Sequence, residues 1–272
     1  MGRKKMTSNI VPLWGADQES APTARQRGIA ENLNALAIAW MLSLGERDDL
    51  MRIATEVSLR ARCPVFDEGE PAKNLFGVIR GAITMSRLTL DGYRQIVGFQ
   101  YPGDLIGLAD AAAYTCSAVA LESAVLCRLP RLAFEAFAEG KPKFQRRLSE
   151  MASRDLVKAQ NQILMLSRRT AKEKIAAFIL MLSGTAPARG QPANTVRLPM
   201  NRSDIGDYLG ISRETVSRVF SELKASGAIR FRSSAAVELA DTGMLGALAG
   251  IASAAGSLPI ASVLHNFAAS RS

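Results

Sequence analysis

"NRSDIGDYLGISRETVSRVFSELKASGAI" occupies residues 201–229, and its reading decides how the rest of the chain is understood. Val216, Val219, Phe220 and Leu223 recur at the spacing that gathers them on one side of a helix beginning after Ser212. Ser212 is a good capping residue, and Gly210 supplies the backbone freedom of a sharp turn. Upstream, Ser203 is placed to cap a shorter helix whose Ile205 and Leu209 face inward. Two helices joined by a glycine-containing turn predict a helix-turn-helix. Gly227 ends it, and "AIRFRSSAAVEL" (228–239) then predicts two short strands, a wing with Arg230 and Arg232 near its tip.

The second helix has an unusual polar side. Arg213, Glu214, Ser217 and Arg218 fall together, opposite the apolar stripe. A solvated face is ordinarily filled with interchangeable Lys and Glu; this one presents groups suited to the edges of bases. Arginine can bind guanine O6 and N7 in bidentate fashion, a carboxylate can accept from cytosine N4, and serine lets a helix seat deeply in a major groove. A carboxylate facing DNA is repulsive unless it reads a base, so Glu214 favours sequence reading over adhesion. Arg202, Ser203, Ser212, Thr215, Arg230 and Arg232 are expected to meet the sugar–phosphate backbone.

The charge supports this. The 272-residue chain carries a net +9, and twelve Lys/Arg against five Asp/Glu between Arg168 and Arg232 place an excess of seven around the motif. Such a field favours a polyanionic partner, double-stranded DNA first. Cys63, Cys116 and Cys127 form no CxxC and no even framework, and no signal peptide is evident, so a reduced cytoplasm is expected. One histidine, His265, gives no metal-ligand cluster, and no nucleophile–base constellation or phosphate-cradling glycine loop appears, so an enzyme is not expected. "ALAIAWMLSL" (35–44) is too short to span a bilayer. From Thr242 to Ser270 only His265 can carry charge, but glycines, Pro259 and serines dilute the hydropathy. A small-residue helix packed on the last domain, then a frayed end, is expected there rather than a membrane span.

Outward from the motif, five regions are expected. Residues 1–30 read as a flexible extension and 31–140 as a sensor domain. The latter opens with helices over 32–44 and 46–57, then alternates short β-runs with turns from Cys63 to Arg128. Asp91-Gly92 between "ITMSRL" and "RQIVGF" marks a hairpin, and Gly69, Gly81, Gly92 and Gly103 suit the corners of a small antiparallel roll. A long helix within 141–168 carries Leu148, Ala152, Leu156, Ala159, Ile163 and Leu166, an uncharged line between charged flanks that predicts a self-pairing seam. Region 169–242 holds an apolar helix (171–182), a loop (184–194) and the helix-turn-helix; 243–272 is the uncharged tail.

Asp204-Ile205-Gly206-Asp207-Tyr208-Leu209-Gly210 followed by Glu214-Thr215-Val216-Ser217-Arg218 resembles the signature of the Crp/Fnr transcription regulators, in their Fnr/FixK branch. The resemblance extends through "NQILMLSRRTAKEKIAAFILMLS" and "LFGVIRGAITMSRLTLDGYRQIVGFQYPGDLIG" and covers about residues 46–250. It implies an α+β chain: an N-terminal cyclic-nucleotide-binding-like β-roll, a long dimerisation helix and a C-terminal winged helix-turn-helix. It further implies a homodimer on a two-fold site, Glu214, Ser217 and Arg218 reading a TGA-containing half-site of TTGAT type, and RNA polymerase as a partner. Arg213 is a Crp-like feature.

The expected sensor departs from its relatives. Between Arg94 and Arg128 there is no Lys or Arg, and the turn Gly103-Asp104-Leu105-Ile106-Gly107 lacks a glutamate for a ribose. A phosphate buried without a cation is costly, so no cyclic nucleotide is expected. The resemblance places Cys127 where an internal iron–sulfur ligand would lie, but no cysteine precedes Cys63, so no cluster is expected. Haem through histidine is disfavoured for want of a histidine in the roll. The expectation is a FixK-like regulator needing no cofactor or metal; gating of the same fold by a small ligand or by cysteine oxidation is the alternative.

Overall fold

The computed structural model describes residues 42–108, 112–187 and 192–250. The expected extension (1–30), most of the expected helix over 32–44, His265 and the tail from 251 lie outside the described residues.

Helix α1 (Leu44–Ile53) starts in a reciprocal cap. Ser43 Oγ accepts from the Glu46 amide at 3.3 Å, and the Glu46 carboxylate accepts from the Ser43 amide at 2.8 Å. The helix stops at Ile53 rather than running to Val57 as expected. Thr55 and Val57, β-branched residues, instead enter strand β1 (Thr55–Leu59), and Val57 packs against the roll interior. The strands β2 (Pro64–Phe66), β3 (Asn74–Arg80), β4 (Ile83–Leu88), β5 (Arg94–Gln100), β6 (Leu105–Ile106), β7 (Ser117–Ala120) and β8 (Ala124–Pro130) complete the roll. They form two antiparallel sheets, ordered β1-β8-β3-β6 and β2-β7-β4-β5. The expected hairpin is β4–β5, paired from Ile83↔Gln100 to Leu88↔Arg94 with Asp91-Gly92 in its loop. Gly69, Gly81, Gly92 and Gly103 all adopt positive φ.

Three apolar layers stack through the molecule. Phe66, Phe76, Val78, Ile83, Met85, Ile106, Ala118 and Leu126 fill the space between the sheets. The outer face of the first sheet, with Leu75, Ile79, Val125, Cys127 and Leu129, lies under α1, α2 (Arg131–Ala138) and the start of α3 (Pro142–Leu166), where Phe134, Phe137 and Phe144 pack together. Strand β3 is buried on both faces, hence its unbroken apolar run. The outer face of β4–β5, with Ala82, Ile96, Phe99 and Leu121, joins the C-terminal core.

That core is built on α4 (Ala171–Thr185), whose Thr170 cap accepts from the Glu173 amide at 3.2 Å and whose Ile175–Leu180 are buried. Around it stand β9 (Thr195–Arg197), α5 (Arg202–Leu209), α6 (Arg213–Ala225), β10 (Ile229–Ser233), β11 (Ala236–Leu239) and α7 (Thr242–Leu248). The last strands form the sheet β10-β11-β9. Helix α7 takes the first part of the expected tail into this core through Leu245 and Ala249. Among the described residues no helix is long and apolar enough to cross a membrane.

Helix α3 has two apolar faces where a single seam was expected. Phe144, Leu148 and Met151, at i, i+4 and i+7, lie against the roll core. Leu148 is therefore drawn to its own roll. Ala152, Leu156, Ala159 and Ile163 follow the neighbouring line and are exposed, Leu156 at 61% and Ile163 at 65%. Leu166, at the helix end, is half-buried.

Candidate nucleic-acid interface

Helix α5 is capped by Asn201, not by Ser203. The Asn201 side chain accepts from the Asp204 amide at 2.8 Å, and the Asp204 carboxylate returns a bond to the Asn201 amide at 3.1 Å. The cap moves two residues upstream because Asn201 keeps extended backbone while Ser203 is already helical. Gly210 then takes a left-handed conformation (φ 64°, ψ 45°), and the Gly210 and Ile211 amides both donate to the Gly206 carbonyl. The turn brings the chain so close to α5 that a Cβ on Gly206 would sit 2.5 Å from the Ile211 carbonyl oxygen. Ser212 caps α6, accepting from the Thr215 amide at 3.2 Å.

The cap and turn aim α6. Val216, Val219, Phe220 and Leu223 are buried; Arg213, Glu214, Ser217 and Arg218 are all exposed on the other side. The Arg218 side chain is 68% exposed, loosely paired with Glu222 at 3.9 Å, and can reach outward without losing a buried partner. Glu214 lies in the first turn, where the helix dipole stabilises a carboxylate. Thr215 is half-buried, and its hydroxyl accepts from Ser212 Oγ at 3.0 Å.

Around this face stand the expected backbone contacts. Ser203 is exposed in the first turn of α5. Arg202 lies with its guanidinium 3.7 Å from the Phe220 ring centroid and 5.5 Å from that of Phe231, and burial lowers its pKa. Stacking occupies its faces and leaves the N–H edge for an oxygen acceptor. Arg230 and Arg232 are exposed on the wing, Arg232 held by Glu238 at 2.8 Å.

Two acids of the basic segment are committed elsewhere. Asp204 and Asp207 bind Arg94 of β5, at 2.6 Å and 2.7 Å. Arg94 was not foreseen as a contributor to this region, and Gly206 was named only as part of the signature, without its reason. The Gly206 requirement follows from a close approach that exists only after the turn has formed, and Arg94 lies more than a hundred residues away in sequence.

The roll interior and the turn beside it are occupied by their own side chains. Phe66 and Tyr114 stack at 3.7 Å within the packed interior, and the Tyr114 hydroxyl donates to the Asn74 carbonyl at 2.7 Å. Arg131, the cation beside the Gly107 turn, is spent on the carbonyls of Ala72 and Gly107 and on Glu135. The guanidinium beside this turn is thus engaged by its own fold. Among the described residues, no group of three or more His, Cys, Asp or Glu could hold a metal. Cys127 is buried in β8, and burial pushes its thiol up to about 12, away from the thiolate that ligation or oxidation requires.

Comparison with known proteins places these parts. The cyclic nucleotide-binding domain family matches residues 56–141, and the Crp-like helix-turn-helix domain family matches residues 173–248. Among curated proteins, the transcriptional activatory protein AadR of Rhodopseudomonas palustris is 36% identical over 192 residues, 71% of this chain and 80% of its own length. The nitrogen fixation regulation protein FixK of Bradyrhizobium diazoefficiens is 36% identical over 193 residues, 71% of this chain and 81% of its own. Among solved structures, FixK2 from Bradyrhizobium japonicum superposes with a TM-score of 0.67 at 35% identity, over 75% of this chain and all of that one.

Proposed function

The chain belongs to the Crp/Fnr family of DNA-binding transcription regulators, and from that premise we propose that it works in the cytoplasm as a FixK-like homodimer on a two-fold TTGAT-like site, without cyclic nucleotide or iron–sulfur cluster. The observation that carries the proposal is the exposed polar face of α6. Arg213, Glu214, Ser217 and Arg218 point away from the core with no buried structural task. A helix so equipped enters a major groove with Arg218 on guanine and Glu214 on cytosine. Arg202, Ser203, Ser212, Thr215, Arg230 and Arg232 then bear on the backbone and set the register.

Pairing is supported by the unburied line Ala152-Leu156-Ala159-Ile163 on α3, a stripe that a second copy can cover in coiled-coil fashion. Ligand independence is supported by the stacked interior and the engaged Arg131, which count equally against a small effector inside the roll. The relatives that bear the name of activator support contact with RNA polymerase.

Selection of bound duplexes from a random pool by purified, aerobic, ligand-free protein tests the whole reading. The expected result is enrichment of two inverted TTGAT-like half-sites. Absence of any sequence preference at moderate salt overturns it. Titration calorimetry with cAMP and cGMP tests the sensor separately: heats of micromolar binding overturn ligand independence alone.

A further inference from the structure

The connection between the long helix and the reading module is short. Helix α3 ends at Leu166 and α4 begins at Ala171, with only Ser167–Thr170 between. A linker of this kind leaves several soft dihedrals, so side-chain contacts must settle where α6 points. They converge on α5. Its last carbonyls, which no helix can satisfy internally, are met from outside. Gln95 Nε2 donates to the Asp207 carbonyl at 2.6 Å, Gln162 Nε2 to the Tyr208 carbonyl at 3.5 Å, and Lys174 Nζ to the Leu209 carbonyl at 3.1 Å. Gln162 belongs to α3 and donates also to the Ile96 carbonyl of β5 at 2.9 Å, so one buried amide joins long helix, roll and reading module.

Arg94 adds the charged part of this junction. Its Nε donates to Asp207 Oδ2 at 2.9 Å; its Nη2 donates to Asp207 Oδ2 at 2.7 Å and to Asp204 Oδ1 at 2.6 Å. The Tyr93 hydroxyl reaches Asp207 at 3.4 Å, and Arg62 approaches Asp204 at 3.9 Å. Asp204 is fully buried and also closes the α5 cap. The two carboxylates lie one helical turn apart on the α5 face turned to the roll, and a planar fork holding both resists rotation of α5 as a single contact would not. Beneath it Phe99 packs on Tyr208 and Phe178, with ring centroids at 5.1 Å and 6.3 Å. Apolar contact supplies adhesion without direction; the fork supplies direction.

We infer that Arg94 is a positioning residue for DNA reading: clamped on Asp204 and Asp207, it sets the angle at which each copy presents α6, and thereby the half-site spacing that the dimer accepts. The inference rests on the dimeric reading above. Arg94 touches no DNA, so the preference within a half-site and the salt dependence stay as they are. What changes is the tolerance of geometry. One base pair inserted between half-sites turns one against the other by about 35°. A rigid junction penalises that turn; a loosened one follows it.

The experiment compares affinities of the full-length protein for its selected site and for the same site with one base pair inserted or removed at the centre. In the wild type the altered spacing is strongly disfavoured. Arg94→Ala is expected to shrink that discrimination by roughly 3- to 30-fold, with Arg94→Lys between the two. Partial unfolding scales all three affinities alike and leaves their ratio unmoved, so the ratio separates positioning from stability. Should Arg94→Ala fail to fold, Asp207→Asn weakens one arm while Asp204 stays paired, and the same narrowing is expected. A sharp wild-type optimum retained by the folded Arg94→Ala or Asp207→Asn protein overturns this inference alone. A wild type with no preferred two-fold site overturns the parent reading, and this one with it.

Discussion

Arg218 and Gly206 stand for two kinds of necessity at the scale of single residues. Arg218 is exposed and carries no packing, so Arg218→Ala is expected to leave the melting temperature unchanged. It should weaken binding to the selected site by about 1–3 kcal/mol and blur one base position per half-site, as competition with single-base variants would show. Gly206 is the reverse case. A methyl group there meets the Ile211 carbonyl oxygen at 2.5 Å, a backbone atom that can move only if the turn moves. Gly206→Ala is expected to cost about 1–3 kcal/mol of stability in denaturant titration, with loss of specific binding. The exposure of Arg213, Glu214, Ser217 and Arg218 on one side of α6 was legible in the sequence because helical period alone separates them from Val216, Val219 and Phe220. The reason for the Gly206 of the signature was not, since its need arises from an approach across the turn. The α5 cap was misplaced on Ser203 for a local reason. Asn201 and Ser203 are both capping types, and only the backbone decides between them.

At the scale of elements, α3 presents two apolar lines about a quarter of a turn apart, and the sequence merged them into one. A line drawn from Leu148 to Leu166 runs at spacings of 4, 4, 3, 4 and 3, heptad-like from Ala152 onward, yet spacing does not say which of two adjacent faces the roll occupies. The aromatics decide it. Phe134, Phe137 and Phe144 gather over the first sheet and take Leu148 with them, leaving the line from Ala152 to Ile163 open. The two lines therefore make separable predictions. Replacing Leu156 and Ile163 together by Glu places charge on the open line and is expected to yield monomers in sedimentation at micromolar concentration, with little change in secondary structure. Leu148→Ala is expected to lower stability by about 1–2 kcal/mol and leave the oligomeric state intact. Monomers from Leu148→Ala, or an unchanged dimer from the double substitution, would reverse the assignment. The first helix shows the same kind of limit. Its apolar line continued to Val57 on paper, but β1 pairing with β8 claims the chain from Thr55.

The contact between roll and reading module, at the scale of the whole molecule, was invisible in the sequence. Arg94 looks like an ordinary charge at a hairpin, and Asp204 and Asp207 look like minor deductions from a basic field; their meeting depends on how complete domains dock. The docking is not a thin contact, for Ala82, Ile96, Phe99 and Leu121 of the roll belong to the same buried cluster as Ile175, Phe178, Tyr208 and Val219. Neither half can bury its share alone: without the roll, Tyr208 and Phe178 lose an aromatic neighbour, and without the reading module the outer face of β4–β5 is exposed to water. Burial shared in this way couples the two unfolding equilibria, so heating should melt the described parts in one calorimetric transition whose van't Hoff and calorimetric enthalpies agree. Phe99→Ala removes the ring at the centre of the junction. It is expected to cost about 3–5 kcal/mol and to separate the single transition into two, because the loss falls on the coupling rather than on the core of either half. Two transitions already present in the wild type would mean that the halves fold independently, and that the junction orients α6 without stabilising it.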